Sequence, residues 1–245
     1  MIAVLTSVSY DAAIIPAFVK YYASLGAEAV FVTVLELKPN LLEEAKGIAA
    51  SMTTPVHVYP ANERWVRTQL ESQNKNELRA MIGLRQTDWY VPADLDEFID
   101  FELPLRDTIA QLQKGNYGYA MGELVDRVSS DGTLSEYDPS KSLWEQYPLK
   151  EHITRDIMKS NHRKVVLARG HLAVSSGHHM IVDESHKKFP QELAINHFAW
   201  RAGRREALKR RFDNYCRLGI VSDSLNRMLE HLVTNNGKLS IGLRG

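Results

Sequence analysis

Trp89-Tyr90-Val91-Pro92-Ala93-Asp94-Leu95-Asp96-Glu97-Phe98-Ile99-Asp100 carries the densest chemical signal in the chain. An apolar run from Trp89 to Ala93 leads directly into an acidic segment, Asp94-Leu95-Asp96-Glu97, and apolar residues follow at once. The pattern predicts a buried strand that ends in carboxylates. Side chains alternate across a pleated strand, so Asp94 and Asp96 are expected on one side, with Leu95 and Glu97 on the other. Two carboxylates on one side suit a hard divalent cation such as Mg²⁺ or Mn²⁺, which completes its shell with water and substrate phosphates. An acidic turn that caps a helix over 104–113 is the structural alternative. Open α/β sheets bind ligands beyond the carboxyl ends of their strands, and the acidic pair falls at such an end.

Outward from this strand, the N-terminal part alternates strand and helix. Ile2 to Val8 forms a first strand, Ser9 and Asp11 offer capping side chains, an amphipathic helix covers 12–25, and Gly26 ends it. Strand 29–34, helix 41–52 and strand 55–59 follow, and a long polar helical stretch, 65–85, precedes the acidic strand. This β-α-β-α-β order predicts a parallel sheet with crossover helices. Beyond residue 100 the strands at 117–128, 163–168, 179–182 and 194–198 are joined without long helices, which predicts antiparallel or mixed additions. Two helices, 204–217 and 222–235, close the chain. The fold class expected is therefore α/β, with a mostly parallel central sheet flanked by helices and a mixed C-terminal addition.

Composition limits the functions available. The 245 residues carry 30 Lys and Arg against 30 Asp and Glu, yet the charge is uneven. Residues 150–211 hold an excess of 8 positive charges and the remainder an equal negative excess, so the later segment attracts anions. A single cysteine, Cys216, excludes an internal disulfide framework and a Cys-rich zinc site. No apolar run reaches the ~20 residues a membrane-spanning helix needs. The first residues read as a strand rather than a signal peptide, so a cytoplasmic protein is expected. A basic stretch at 201–211 is a solvated face, a contact for a diphosphate, or a peripheral contact for anionic lipid. It lacks the aromatic interleaving of a single-strand nucleic-acid binder, and no nucleic-acid partner is expected.

The order of these pieces resembles bacterial glycosyltransferases of the family-two type with the GT-A fold, in the branch with a D-x-D-E-F motif. The resemblance is carried by Leu25-Gly26, the 89–99 stretch, Gly122-Glu123-Leu124-Val125-Asp126-Arg127 with Asp131-Gly132, Lys164-Val165-Val166-Leu167, Gly177-His178-His179, and His197-Phe198-Ala199-Trp200. It departs from the family after the second strand, where Leu35-Glu36-Leu37-Lys38-Pro39 replaces an Asp-Asn pair and a Ser. The resemblance implies a single GT-A-like domain over 1–245, with a nucleotide-binding half at 1–100 and an acceptor-side half at 101–245. It also implies a nucleotide-diphosphate sugar as donor, a carbohydrate or lipid-linked acceptor, and Mn²⁺ or Mg²⁺ on the D-x-D.

Residue roles follow as expectations. Asp96 is the first metal ligand, with Asp94 on the metal's water or the donor ribose. Seven of nine histidines lie between His152 and His197, and His197, then His179, is the imidazole expected to complete the metal shell. Asp126 or Glu123 is the candidate general base for an acceptor hydroxyl. Thr6 and Ser7 end the first strand where family members meet the base, while Lys164, Arg163 and Arg79 are candidates for the diphosphate. A nucleotidyltransferase is disfavoured by the lack of glycine between Thr6 and Asp11. A hydrolase built on the histidines and a polyanion-binding module are the remaining alternatives.

Overall fold

The computed structural model describes residues 1–35, 38–61, 72–183 and 185–239, with only the backbone for 72–74. Glu36 and most of the first half of the polar stretch at 65–85 lie outside the described residues. The chain forms two compact units, each assembled from two stretches: 1–123 with 163–195, and 124–162 with 196–245. Among the described residues, no helix is long and apolar enough to cross a membrane.

The first unit is built on β1 (Ile2–Val8), β2 (Ala29–Val34), β3 (Val56–Pro60) and β4 (Trp89–Pro92), which lie parallel in the order β3-β2-β1-β4. Every residue of β1, β2 and β4 is buried. That explains why these segments are continuous apolar runs rather than alternating ones: a parallel strand covered on both faces has no side to give to solvent. Next to β4 come β8 (Arg163–Arg169) and β6 (Tyr119–Val128), and both pairings of β8 are antiparallel. β9 (Lys188–His197) and β5 (Glu97–Asp100) continue the order, while β7 (Leu149–Glu151) pairs with the last residues of β6. The class is thus α/β, with the parallel core and antiparallel C-terminal addition that the strand spacing predicts.

Helices α1 (Ile15–Ser24), α2 (Leu41–Ala50), α3 (Ser72–Met81) and α4 (Leu105–Lys114) belong to this unit. The α1 helix starts on a proline and ends at Gly26, whose φ of 95° is the left-handed stop that glycine adopts without penalty. Its Tyr21 and Tyr22 hydroxyls donate to the carbonyls of Ile99 and Glu97 at 2.7 and 2.8 Å, tying the helix to β5. Apolar residues from β1, β2, β4, β6 and β8 meet Leu78 of α3 in one core, with Phe31 and Tyr90 its largest members.

The second unit contains the end of β6, β7, the short helices α5 (Leu143–Gln146) and α6 (Ile153–Asp156), and the paired helices α7 (Arg204–Arg217) and α8 (Asp223–Thr234). Its core gathers Val128, Ile153, Met158, Trp200, Leu208 and Met228. Lys209 pairs with Asp213, and Arg211 donates to the Tyr215 hydroxyl, so part of the basic 201–211 face is occupied along its own helix.

Three local differences from the pattern reading have physical causes. Asp94 to Asp96 leave the strand and form a turn, closed where the Glu97 amide donates to the Asp94 carbonyl at 2.9 Å, and Glu97 opens β5. The alternation rule therefore does not apply across the motif. Residues 179–182 form no strand; a 3₁₀ turn at Ser176–His178 and one bridge between Val174 and Ile181 take their place. β9 starts six residues before the predicted strand.

Gly122 marks the tightest point of the first unit's sheet. A Cβ there would lie 2.7 Å from the Leu193 carbonyl oxygen and under 3 Å from Val166 and Ile195 side-chain carbons. Gly122→Ala should destabilise the protein by about 1–3 kcal/mol through overpacking. A thermal melt should show Tm lower by roughly 2–4 °C for each kcal/mol.

Candidate functional site

The acidic turn sits where β4 ends. β4 runs parallel to β1 with Pro92 opposite Leu5, and the Ala93 amide donates to the Leu5 carbonyl at 3.1 Å. Thr6 and Ser7 therefore run alongside Ala93 and Asp94 at the carboxyl ends of two adjacent parallel strands. Both hydroxyls are buried and have no hydrogen-bond partner among the described residues. An orphaned buried hydroxyl is uncommon and costs about 1–3 kcal/mol unless something satisfies it.

Helix α3 crosses β1 and β2 and brings a polar face over this end of the sheet. Asn76 donates to the Val174 carbonyl at 2.6 Å and accepts from its amide at 3.0 Å, as a neighbouring strand would. One turn further on, Arg79 donates to the Gly170 carbonyl at 2.9 Å. The helix is so fastened to the segment after β8, and Lys75 is carried onto the acidic turn. The same segment delivers His178 through two consecutive left-handed residues, Gly177 at φ 69° and His178 at φ 48°. Glycine adopts this conformation freely, whereas histidine does so at a cost.

Five side chains close into a ring. Lys75 binds one oxygen of Asp94, and Lys164 binds the other at 2.7 Å. Lys164 also binds Glu97, whose second oxygen faces His178 Nε2 at 3.2 Å, and His178 Nδ1 lies 3.2 Å from the Lys75 ammonium. An ammonium only donates, so Nδ1 accepts; the imidazole proton is on Nε2 and is given to Glu97. The Asp94 amide adds a bond to the same Glu97 oxygen at 3.0 Å. Lys75, Glu97 and His178 side chains are 1% exposed and Lys164 10%, while Asp94 is 32% exposed and forms the opening to solvent.

Charge balance accounts for the electrostatics. Burial pushes the Asp94 and Glu97 carboxyls up, but the Lys164 ammonium above all, with Lys75 beside Asp94, outweighs it and holds both well below the usual carboxylate range. Burial would lower Lys164, and the two carboxylates instead hold it above its ordinary value. His178 is lowered to about 4, by burial first and then by the two lysines, so it is neutral near pH 7. Two positive and two negative charges surround a neutral imidazole.

Asp94, Glu97 and His178 are, among the described residues, the one group of three donors whose ligand atoms lie within 4.8 Å of each other, a set of the kind Mg²⁺ or Mn²⁺ accepts. Lys75 and Lys164 hold the same atoms. Asp96 is half-buried in the turn and is not in this group. His179 is turned to the Arg163 carbonyl at 2.8 Å, and Arg163 pairs with Glu192 at 3.4 Å. Glu123 is half-buried on β6 opposite Arg163. Arg79 is engaged by Gly170 rather than by Asp94. A cavity of about 270 Å³ lined by Asn116, Arg169, His171 and His186 lies at the opposite end of the strands, where Arg169 faces Trp89.

In the second unit, Asp126 and His197 meet each other. The Asp126 carboxylate is fully buried and accepts four hydrogen bonds: the Thr154 amide at 2.7 Å, its hydroxyl at 3.0 Å, His197 Nδ1 at 2.7 Å and Trp200 Nε1 at 2.7 Å. Burial raises its carboxyl, and these donors, His197 foremost, bring it below the ordinary value. The candidate general base Asp126 is thus enclosed by donors from Thr154, His197 and Trp200. His197 is correspondingly oriented by Asp126.

No family model matches the sequence, and no curated protein matches it. Among solved structures, residues 1–349 of S. aureus TarS align over 99% of this chain and 75% of that one, at 12% identity and a TM-score of 0.40. The same protein has been solved with UDP. This chain spans 46% of the longer TarS chain, at 11% identity and a TM-score of 0.39. A putative glucose-1-phosphate thymidylyltransferase from Bacillus anthracis, solved with sucrose, aligns over 92% of this chain and 99% of that one, at 10% identity and a TM-score of 0.43. Likenesses this weak carry no argument about activity.

Two measurements probe these networks. A histidine lowered in the folded state contributes stability that is full above its unfolded value of 6.5 and is lost as pH falls toward about 4. The unfolding free energy from urea titrations should therefore drop by about 2 kcal/mol between roughly pH 7 and pH 5 through His178. His178→Gln, whose amide accepts from Lys75 and donates to Glu97 without titrating, should show a flatter profile. Asp126→Ala strands four donors and should cost about 3–5 kcal/mol in chemical denaturation.

Proposed function

We propose that this chain is a glycosyltransferase that takes a sugar from a nucleotide-diphosphate donor and passes it to a carbohydrate or lipid-linked acceptor, in surface polysaccharide assembly. One observation carries the reading: a charge-balanced ring opens to solvent through Asp94, beside the buried Ser7 hydroxyl, which no described residue satisfies, at the carboxyl ends of adjacent parallel strands. Ligands of open α/β sheets bind at such strand ends. The sequence resemblance, centred on the same acidic motif, supplies the class of ligand.

Of the Thr6–Ser7 pair, Ser7 is on the face of β1 that packs against α3, and its hydroxyl is a donor and acceptor for the nucleoside, while Asp94 faces the donor from the ring. In the transfer an acceptor oxygen bonds to the anomeric carbon while the bond from that carbon to the diphosphate breaks. The electron pair leaves with the diphosphate, and the acceptor proton passes to a base, for which Glu123 is the carboxylate in the first unit. The ammoniums of Lys75 and Lys164 stand where negative charge develops on the leaving group, fixed before the reaction and shielded from water.

Titration with UDP, GDP and their hexose derivatives should give binding in one base series, with nucleotide and sugar nucleotide competing. Ser7→Ala removes a buried hydroxyl that no described residue satisfies. It should leave Tm unchanged or raised, yet weaken nucleotide binding by about tenfold, near the worth of one hydrogen bond. Failure of every nucleotide to bind the folded protein would sink the proposal.

A further inference from the structure

Asp94, Glu97 and His178 have the chemistry of a divalent-cation site, but their donor atoms already carry other positive charges. Lys75 and Lys164 hold both Asp94 oxygens, Lys164 holds one Glu97 oxygen, and the imidazole is spent at both nitrogens. A dication among these groups would stand next to two ammoniums and would have to displace them. Asp96, the motif's other aspartate, belongs to no group of three donor side chains among the described residues.

We propose that Lys75 and Lys164 take the place of the divalent cation here, so that the site binds the diphosphate of its nucleotide without metal. The proposal rests on the nucleotide-sugar reading above and deepens it. Charge is the first argument: two carboxylates alone would repel a diphosphate, and the two ammoniums cancel them as one dication would. Donor count is the second. Each ammonium has three N–H groups; Lys75 spends two on Asp94 and His178, and Lys164 two on Asp94 and Glu97. Among the described residues this leaves one N–H on each; Lys164 offers its own to phosphate oxygens, while Lys75, 1% exposed, acts through its charge. Access is the third, since Asp94 opens the ring to solvent beside Lys164, which is itself 10% exposed, with the Ser7 hydroxyl alongside as a further donor.

The test is calorimetric titration of UDP and GDP into the wild-type chain, once with excess EDTA and once with excess MnCl₂. The expected result is binding in both buffers with dissociation constants within about threefold of one another. Binding that needs Mn²⁺, or that Mn²⁺ tightens by about tenfold or more, overturns the proposal and leaves the transferase reading standing. Absence of binding in both buffers overturns the two together. Lys75→Met should weaken binding in EDTA by about tenfold or more and, by exposing Asp94, create a Mn²⁺ site visible as loss of the free-Mn²⁺ electron paramagnetic resonance signal. Loss of that signal with the wild-type chain would itself overturn the proposal. The wild-type comparisons stand whether or not the variant folds.

Discussion

Two carboxylates buried side by side at a strand end are tolerable only if matched, and this requirement organises the first unit. Removing one member of a buried ion pair leaves an uncompensated charge, at a cost of about 3–5 kcal/mol. The ring meets the requirement by drawing on four places in the chain: α3 for Lys75, the turn after β4 for Asp94 and Glu97, β8 for Lys164 and the 3₁₀ turn for His178. The elements that carry these groups are held by their own bonds. Asn76 clamps Val174, Arg79 reaches Gly170, and the Tyr22 hydroxyl fixes the Glu97 carbonyl. Packing alone would let α3 slide along the sheet. The pairing of Lys75 with Asp94 gives it one register.

The second unit meets the same problem differently. Asp126 is as deeply buried as Glu97, but it is matched by hydrogen-bond donors from Thr154, His197 and Trp200. Four donors on one carboxylate fix its ionised state and leave it no proton to exchange. The first unit's ring is different in kind: Asp94 is a third exposed, and Lys75 and Lys164 each spend two of three N–H groups on described residues. Burial with complete satisfaction points to structure, and burial with an opening and unspent donors points to a ligand.

Some of the strain and dissatisfaction in the described residues lies at this strand end. His178 holds a left-handed backbone, and Thr6 and Ser7 bury hydroxyls without partners. Each costs stability in the free protein, and a protein keeps such costs at sites where a ligand repays them. Arg79 Nε and His171 Nδ1 are likewise buried without a partner among the described residues, whereas other polar groups of the first unit are satisfied. The Tyr90 hydroxyl, for example, is buried and donates to the Leu172 carbonyl at 2.7 Å.

The class of the fold was legible in the order of residues. Continuous apolar runs separated by amphipathic segments specify a parallel sheet with crossover helices, because a strand covered on both faces and a helix covered on one have different periods. The order of residues also marked the acidic motif, the Thr6-Ser7 strand end and Lys164, since their types and positions are local properties. Only tertiary structure decided which of these meet. Lys164 is 70 residues from Asp94 and 67 from Glu97, and Lys75 is 103 from His178. Alternation placed Glu97 opposite Asp94, whereas a turn brings them onto one lysine; Lys75 read as one more charge on a polar helix, and His178 as one of seven clustered histidines. His197, favoured from its strand end, went to Asp126. Local pattern fixes periodicity and burial, but the partner of a charge depends on how distant segments pack, and no property of a single stretch encodes that.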